Sequence, residues 1–85
     1  LMTYNAAGLI DLKQEASAET SMAKLFVCDN ARDIVLTCQE VMGAYGYVKD
    51  FDMERYVRDV LIMPILGGSS AIQKNNIANL LKLPR

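Results

Sequence analysis

Eighty-five residues make one small domain, long enough to bury a single modest core and too short for two. Nine Lys and Arg against ten Asp and Glu leave a net charge of −1, which gives no electrostatic footprint for nucleic acid or an anionic membrane. An apolar fraction of 52% lies above the ordinary range and predicts apolar surface meant for a partner.

The first helical pattern starts at Leu1 with no capping residue ahead of it, so the chain is read as the last helices of a longer protein, cut within a helix. Leu9, Ile10 and Leu12 continue its apolar face, which fades into Lys13–Ser17. A second helix follows, for which Ser17 or Thr20 is the expected cap and Glu19 suits the positive end. Met22, Leu25, Phe26, Ile34, Val35, Cys38, Val41 and Met42 recur at threes and fours and predict a buried stripe six or seven turns long. Gly43-Ala44-Tyr45-Gly46 stops it, because glycine permits the left-handed geometry of a helix end.

Tyr47 to Asp52 reads as a connector, with Asp52 capping a third helix from Met53. Glu54 with Arg58 and Arg55 with Asp59 have the spacing of ion pairs on a helix face. Val57, Val60, Leu61 and Ile65 form its expected buried stripe, and Pro64 should push Met63 out of helical geometry. Ser69 or Ser70 then caps a last helix with Ile72, Ile77, Leu80 and Leu81 inward, closed by Pro84. The fold predicted is all-α, an antiparallel helical bundle.

Cys28 and Cys38 lie ten residues apart on one helix, roughly 15 Å along its axis, so they are read as buried thiols in a reducing compartment. No apolar run has the length of a membrane span, and no signal-peptide pattern opens the chain; the reading is a soluble, cytoplasmic protein. Without His there is no Ser/His/Asp triad, and two distant Cys make no metal site. Asp29, Asp33, Glu54 and Asp59 read as solvated face charges. The two glycine clusters carry two readings: turns and nothing more, or places where a ligand approaches backbone N–H groups, the second at the foot of the last helix.

Met22-Ala23-Lys24-Leu25-Phe26, Glu40–Tyr47, Arg55-Tyr56-Val57-Arg58-Asp59 and Gly68–Gln73 resemble the C-terminal helical domain of flavin-dependent acyl-CoA dehydrogenases. Glu40, Gly43, Gly46, Tyr47, Asp50, Arg55 and Asp59 fall on that family's C-terminal signature; Ala44 departs where the family prefers Gly or Ser. The resemblance covers residues 1–85 and implies part of a C-terminal four-helix bundle, preceded in the parent enzyme by a helical domain and a β-domain.

It further implies oxidation of an acyl-CoA to a 2,3-enoyl-CoA with FAD, electron-transfer flavoprotein as acceptor, and a homo- or hetero-oligomer, dimer or tetramer. Glu40, Val41, Met42, Gly43 and Ala44 would approach the FAD of a neighbouring subunit; Ser69, Ser70 and Ala71 would approach a FAD at the last helix, and Gly68 the substrate. Many members carry their catalytic Glu where this chain has Gly67, so no catalytic side chain is expected here and the base must come from an earlier helix or a partner subunit. Gly67 keeps the backbone N–H that in the family polarises the thioester carbonyl. The 85 residues alone would hold little FAD and turn over nothing. The competing reading is a free-standing helical interaction module.

Overall fold

The computed structural model describes residues 1–83, which form four α-helices and two short 3-10 turns: α1 Met2–Asp11, α2 Ser17–Met42, Gly43–Gly46, Lys49–Phe51, α3 Met53–Ile62 and α4 Ser70–Leu80. At 1.5 Å per residue the 26 residues of α2 run about 39 Å, most of the longest dimension of 46 Å. Helices α1, α3 and α4 each pack on α2. The result is an all-α layer with α2 as its spine.

That layer does not close on itself. A compact chain of this length has a radius of gyration of about 12 Å, against 16.0 Å observed, and the thinnest dimension is 18 Å. Among the described residues the buried apolar positions are Ala6, Ala16, Ala23 and Val60. Several residues of the predicted stripes therefore stay exposed: Ile10 and Leu12 on α1, Phe26, Ile34, Cys38 and Val41 on α2, Leu61 and Ile65 beside α3, and Ile72, Leu80 and Leu81 around α4. Periodicity sends these side chains to one face of each helix, but a face is buried only where a second layer covers it. The two cysteines follow the same correction, Cys28 half-buried and Cys38 exposed, both free thiols.

Local hydrogen bonds decide where the helices begin. Ser17 is already helical and Ala16 holds the cap position of α2; the Glu15 carboxylate accepts from the Ser17 N–H at 2.9 Å and from its hydroxyl. Neither Ser17 nor Thr20 caps as expected, since the carboxylate two residues upstream reaches the free N–H first. These bonds hold the Glu15 carboxyl below the usual carboxylate range, the Ser17 hydroxyl contributing most. Asp52 does occupy the cap position of α3, but in left-handed geometry with φ 63°, which aims its carboxylate at Arg55, 3.6 Å away, rather than at the helix N–H groups. Arg55 is thereby drawn from Asp59 and lies over the Tyr56 ring, whereas Arg58 and Glu54 pair as the spacing predicts, at 2.8 Å.

The ends obey backbone chemistry. Gly43 stops α2 with φ 62° and ψ −138°, outside the left-handed helical well and in a region essentially reserved for glycine. Gly46 needs no positive φ; it is required because a Cβ there would lie 2.7 Å from the Gln39 carbonyl oxygen. Pro64 ends α3 without unwinding the residue before it: Met63 keeps φ −58° and ψ −42°. The chain accommodates the ring by tightening, so that Met63 N–H bonds Val60 O at 3.2 Å and Ile65 N–H bonds Ile62 O at 2.9 Å. Ser69 caps α4 as predicted, accepting from Ile72 N–H at 3.3 Å. Lys82 in left-handed geometry terminates α4, with Leu83 N–H on Ala78 O at 2.9 Å. Pro84 lies outside the described residues.

Candidate functional site

The turn between α3 and α4 is the most heavily tethered irregular segment. Ser70 N–H returns to Pro64 O at 3.0 Å and closes the loop. The Ser70 hydroxyl donates to Asp29 Oδ1 of α2 at 2.6 Å, so Asp29 is an anchor of this turn and not a solvated charge. From the same helix Lys24 Nζ donates to Gly68 O at 2.7 Å. From α4, Gln73 Nε2 donates to Gly67 O at 3.0 Å.

Both glycines are demanded by this arrangement. Gly67 has φ +66° and Gly68 φ +92°, backbone that L side chains rarely adopt. A Cβ on Gly68 would lie 2.6 Å from the Gln73 amide nitrogen, whereas one on Gly67 would meet nothing within 4 Å. Gln73 is only 7% exposed, and its Oε1 is buried without a donor among the described residues.

A trans peptide directs its N–H opposite to its C=O. Because the Gly67 and Gly68 carbonyls are bound toward Gln73 and Lys24, the N–H groups of Gly68 and Ser69 are directed away from them. Among the described residues the N–H groups of Gly67, Gly68, Ser69 and Ala71 have no acceptor. This is a row of backbone donors at the positive end of α4.

The other set of predicted site residues is elsewhere. Glu40, Val41, Gly43 and Ala44 are exposed and Met42 half-buried at the far end of α2. From Asp29, which touches Ser70, to Met42 is about 20 Å along the axis. So Gly67, Gly68, Ser69, Ser70 and Ala71 come together, and Glu40 to Ala44 do not join them within one chain. The sequence reading missed Lys24, Asp29 and Gln73 as members of the first group. Lys24 and Gln73 stand inside the motif stretches Met22–Phe26 and Gly68–Gln73, but no local pattern signals that they meet the turn.

A groove of about 370 Å³ lies between α2 and α3 and is lined by Val27, Cys28, Ala31, Val35, Tyr56 and Met63 among others. Among the described residues no cluster of three or more metal-ligating side chains occurs, and no helix is long and apolar enough to cross a membrane.

Fold and turn together define an α-helical domain whose α4 opens on backbone N–H groups without an acceptor among the described residues. The model of the family described as acyl-CoA dehydrogenase, C-terminal domain, matches residues 1–82. A 3-(aryl)acrylate reductase of Clostridium sporogenes is 45% identical over 83 residues, 96% of this chain and 22% of that protein. The caffeyl-CoA reductase-Etf complex subunit CarC of Acetobacterium woodii is 37% identical over 95% of this chain and 21% of its own length. The short/branched chain specific acyl-CoA dehydrogenase of Bos taurus mitochondria is 44% identical over 92% of this chain and 18% of its own length. The chain thus spans about a fifth of the length of these relatives. It belongs to the acyl-CoA dehydrogenase family, matching that family's C-terminal domain.

Proposed function

We propose that these residues are the last helices of an FAD-dependent acyl-CoA dehydrogenase that oxidises an acyl-CoA to its 2,3-enoyl-CoA. The observation that carries this reading is the donor row at Gly67, Gly68, Ser69 and Ala71, held open at the foot of α4 in a chain matched by the family along residues 1–82. The donor set suits FAD and a thioester. Both offer oxygen acceptors, and the missing Cβ of Gly67, which would stand in open space, lets backbone approach them.

On this reading Ser69, Ser70 and Ala71 hold FAD at the positive end of α4, and Gly68 borders the acyl group. The Gly67 N–H donates to the thioester carbonyl oxygen, drawing charge from the α carbon so that its proton is easier to remove. FAD held there would supply the acceptor for the hydride that leaves the β carbon. Gly67 has no side chain to take the proton, so the base comes from an earlier helix of the complete protein or from a partner subunit. Glu40, Val41, Met42, Gly43 and Ala44, about 20 Å from the turn, face the FAD of a neighbouring subunit in a homo- or hetero-oligomer. Electrons pass to an electron-transfer flavoprotein, and the two free thiols suit a reducing, cytoplasmic setting.

A second reading reverses the direction. Two of the relatives, at 45% and 37% identity, are named as reductases of an arylacrylate and of caffeyl-CoA. The same donors polarise an enoyl thioester carbonyl equally well, so this site supports reduction of the 2,3 double bond. The exposed apolar faces would equally suit a free-standing interaction module, but the family match favours the enzyme.

The complete protein carrying residues 1–85, purified and offered acyl-CoA with an electron-accepting dye, should be yellow and should bleach the dye. A colourless protein that reduces no dye and oxidises no reduced dye with enoyl-CoA overturns both enzyme readings and leaves the interaction module. Faster turnover with enoyl-CoA than with acyl-CoA selects the reductase.

A further inference from the structure

Lys24 sits on α2, 44 residues before the glycine it touches, and its ammonium has no carboxylate partner among the described residues. Its bond to Gly68 O, at 2.7 Å, is the charge-assisted kind that fixes an acceptor firmly. Apart from that bond the Gly68–Ser69 peptide makes no hydrogen bond among the described residues. Two consecutive glycines with positive φ can rotate their shared peptides at little steric cost, and a rotated peptide would carry its N–H away from the open side.

We infer that Lys24 is a positioning residue for the donor row, acting through the Gly68–Ser69 peptide; this rests on the reading of that row as the seat of FAD and, at Gly67, of the thioester carbonyl. Three restraints define the turn around Gly67. Leu66 N–H is bound to Ile62 O at 3.0 Å on one side, Gln73 holds Gly67 O at 3.0 Å, and Lys24 holds Gly68 O at 2.7 Å. The first two are local, made within the turn and the helix it opens. Lys24 supplies the tether from another element, aided by Asp29 on the Ser70 hydroxyl.

The ammonium does a second thing. A donor on a peptide carbonyl polarises that peptide and strengthens its N–H, here that of Ser69, as a donor on the opposite edge. Donors fixed in advance are worth most where charge develops in the transition state, so removing Lys24 should lower turnover and leave binding largely intact. Lys24 touches neither reacting atom.

The test uses the complete protein and its flavin, with an acyl-CoA labelled at the thioester carbonyl. Lys24→Met should keep its flavin and its KM and lose about tenfold in kcat, less than the loss of a direct donor. The bound thioester carbonyl stretch, measured by infrared difference spectroscopy, should move back toward its value in water. Lys24→Gln keeps a neutral donor and should give a stretch between the two; it also carries the test if Lys24→Met does not fold. A carbonyl stretch unmoved in either variant overturns the inference, as does a kcat loss that merely tracks flavin loss. A wild-type protein without flavin or dye reduction instead overturns the functional reading beneath it.

Discussion

Replacing Gly68 by Ala should loosen the foot of α4 far more than the same change at Gly67, one residue away. Both positions have positive φ, so each substitution carries backbone strain of about 1–2 kcal/mol. Only at Gly68 does the new Cβ collide, 2.6 Å from Gln73 Nε2. Relief requires the Gln73 amide to swing off Gly67 O, leaving a second polar atom unpaired on a side chain that is already buried with Oε1 unbonded. An unmet buried polar group costs about 1–3 kcal/mol. The expected total for Gly68→Ala is therefore about 2–5 kcal/mol, against about 1–2 for Gly67→Ala. Native-state hydrogen exchange in the complete protein reads this directly, because the Gln73 N–H is protected by Ser69 O at 2.8 Å. Its protection should fall by roughly 30-fold to 5,000-fold in Gly68→Ala, at 1.36 kcal/mol per factor of ten. Equal protection in the two alanine variants would refute the argument, since the clash with Gln73 is the term that separates them.

Gly67→Glu places a carboxylate at the position where many family members have their base, in space that is open. If the base lies elsewhere in the protein, dye reduction by acyl-CoA should not rise; a tenfold rise would mean that the site lacks a base. The Asp29–Ser70 bond of 2.6 Å should give a coupling of about 1–2 kcal/mol in a double-mutant cycle of Asp29→Ala and Ser70→Ala, read by exchange at the start of α4, and additive effects would refute the tether. For Glu15 the folded carboxyl titrates below its unfolded value, so its contribution to the start of α2 is present above the unfolded pKa and fades as pH falls through the lower folded one. Protection of the Thr20 N–H should fall over that acid window in wild type and show no such pH step in Glu15→Gln.

Much of the backbone was legible in the chain itself. The helix count, the stop at Gly43, the cap at Ser69 and the break at Pro64 follow from groups within a few residues of one another, and short-range hydrogen bonds and glycine dihedrals are decided at that range. Even there competition between neighbours escaped a pattern reading. Glu15 displaced Ser17 as the cap, and Asp52 took left-handed geometry and turned to Arg55. The family motifs carried the identity of the domain in the same way, residue by residue.

What the tertiary structure alone decided is who meets whom. Lys24 and Asp29 face Gly68 and Ser70 because α4 packs on the first half of α2, a relation between residues more than 40 positions apart that no spacing rule encodes. The same packing separates Glu40 to Ala44 from the turn, since a rigid helix keeps its ends about 20 Å from its middle whatever ligand both were predicted to face. It also decided which apolar stripes are covered. A helix pattern marks the face that prefers to leave water, and whether that face is buried depends on a neighbouring element being there: Ala23 is buried beneath the other helices, while Phe26 and Ile34 on the same α2 remain 57% and 60% exposed.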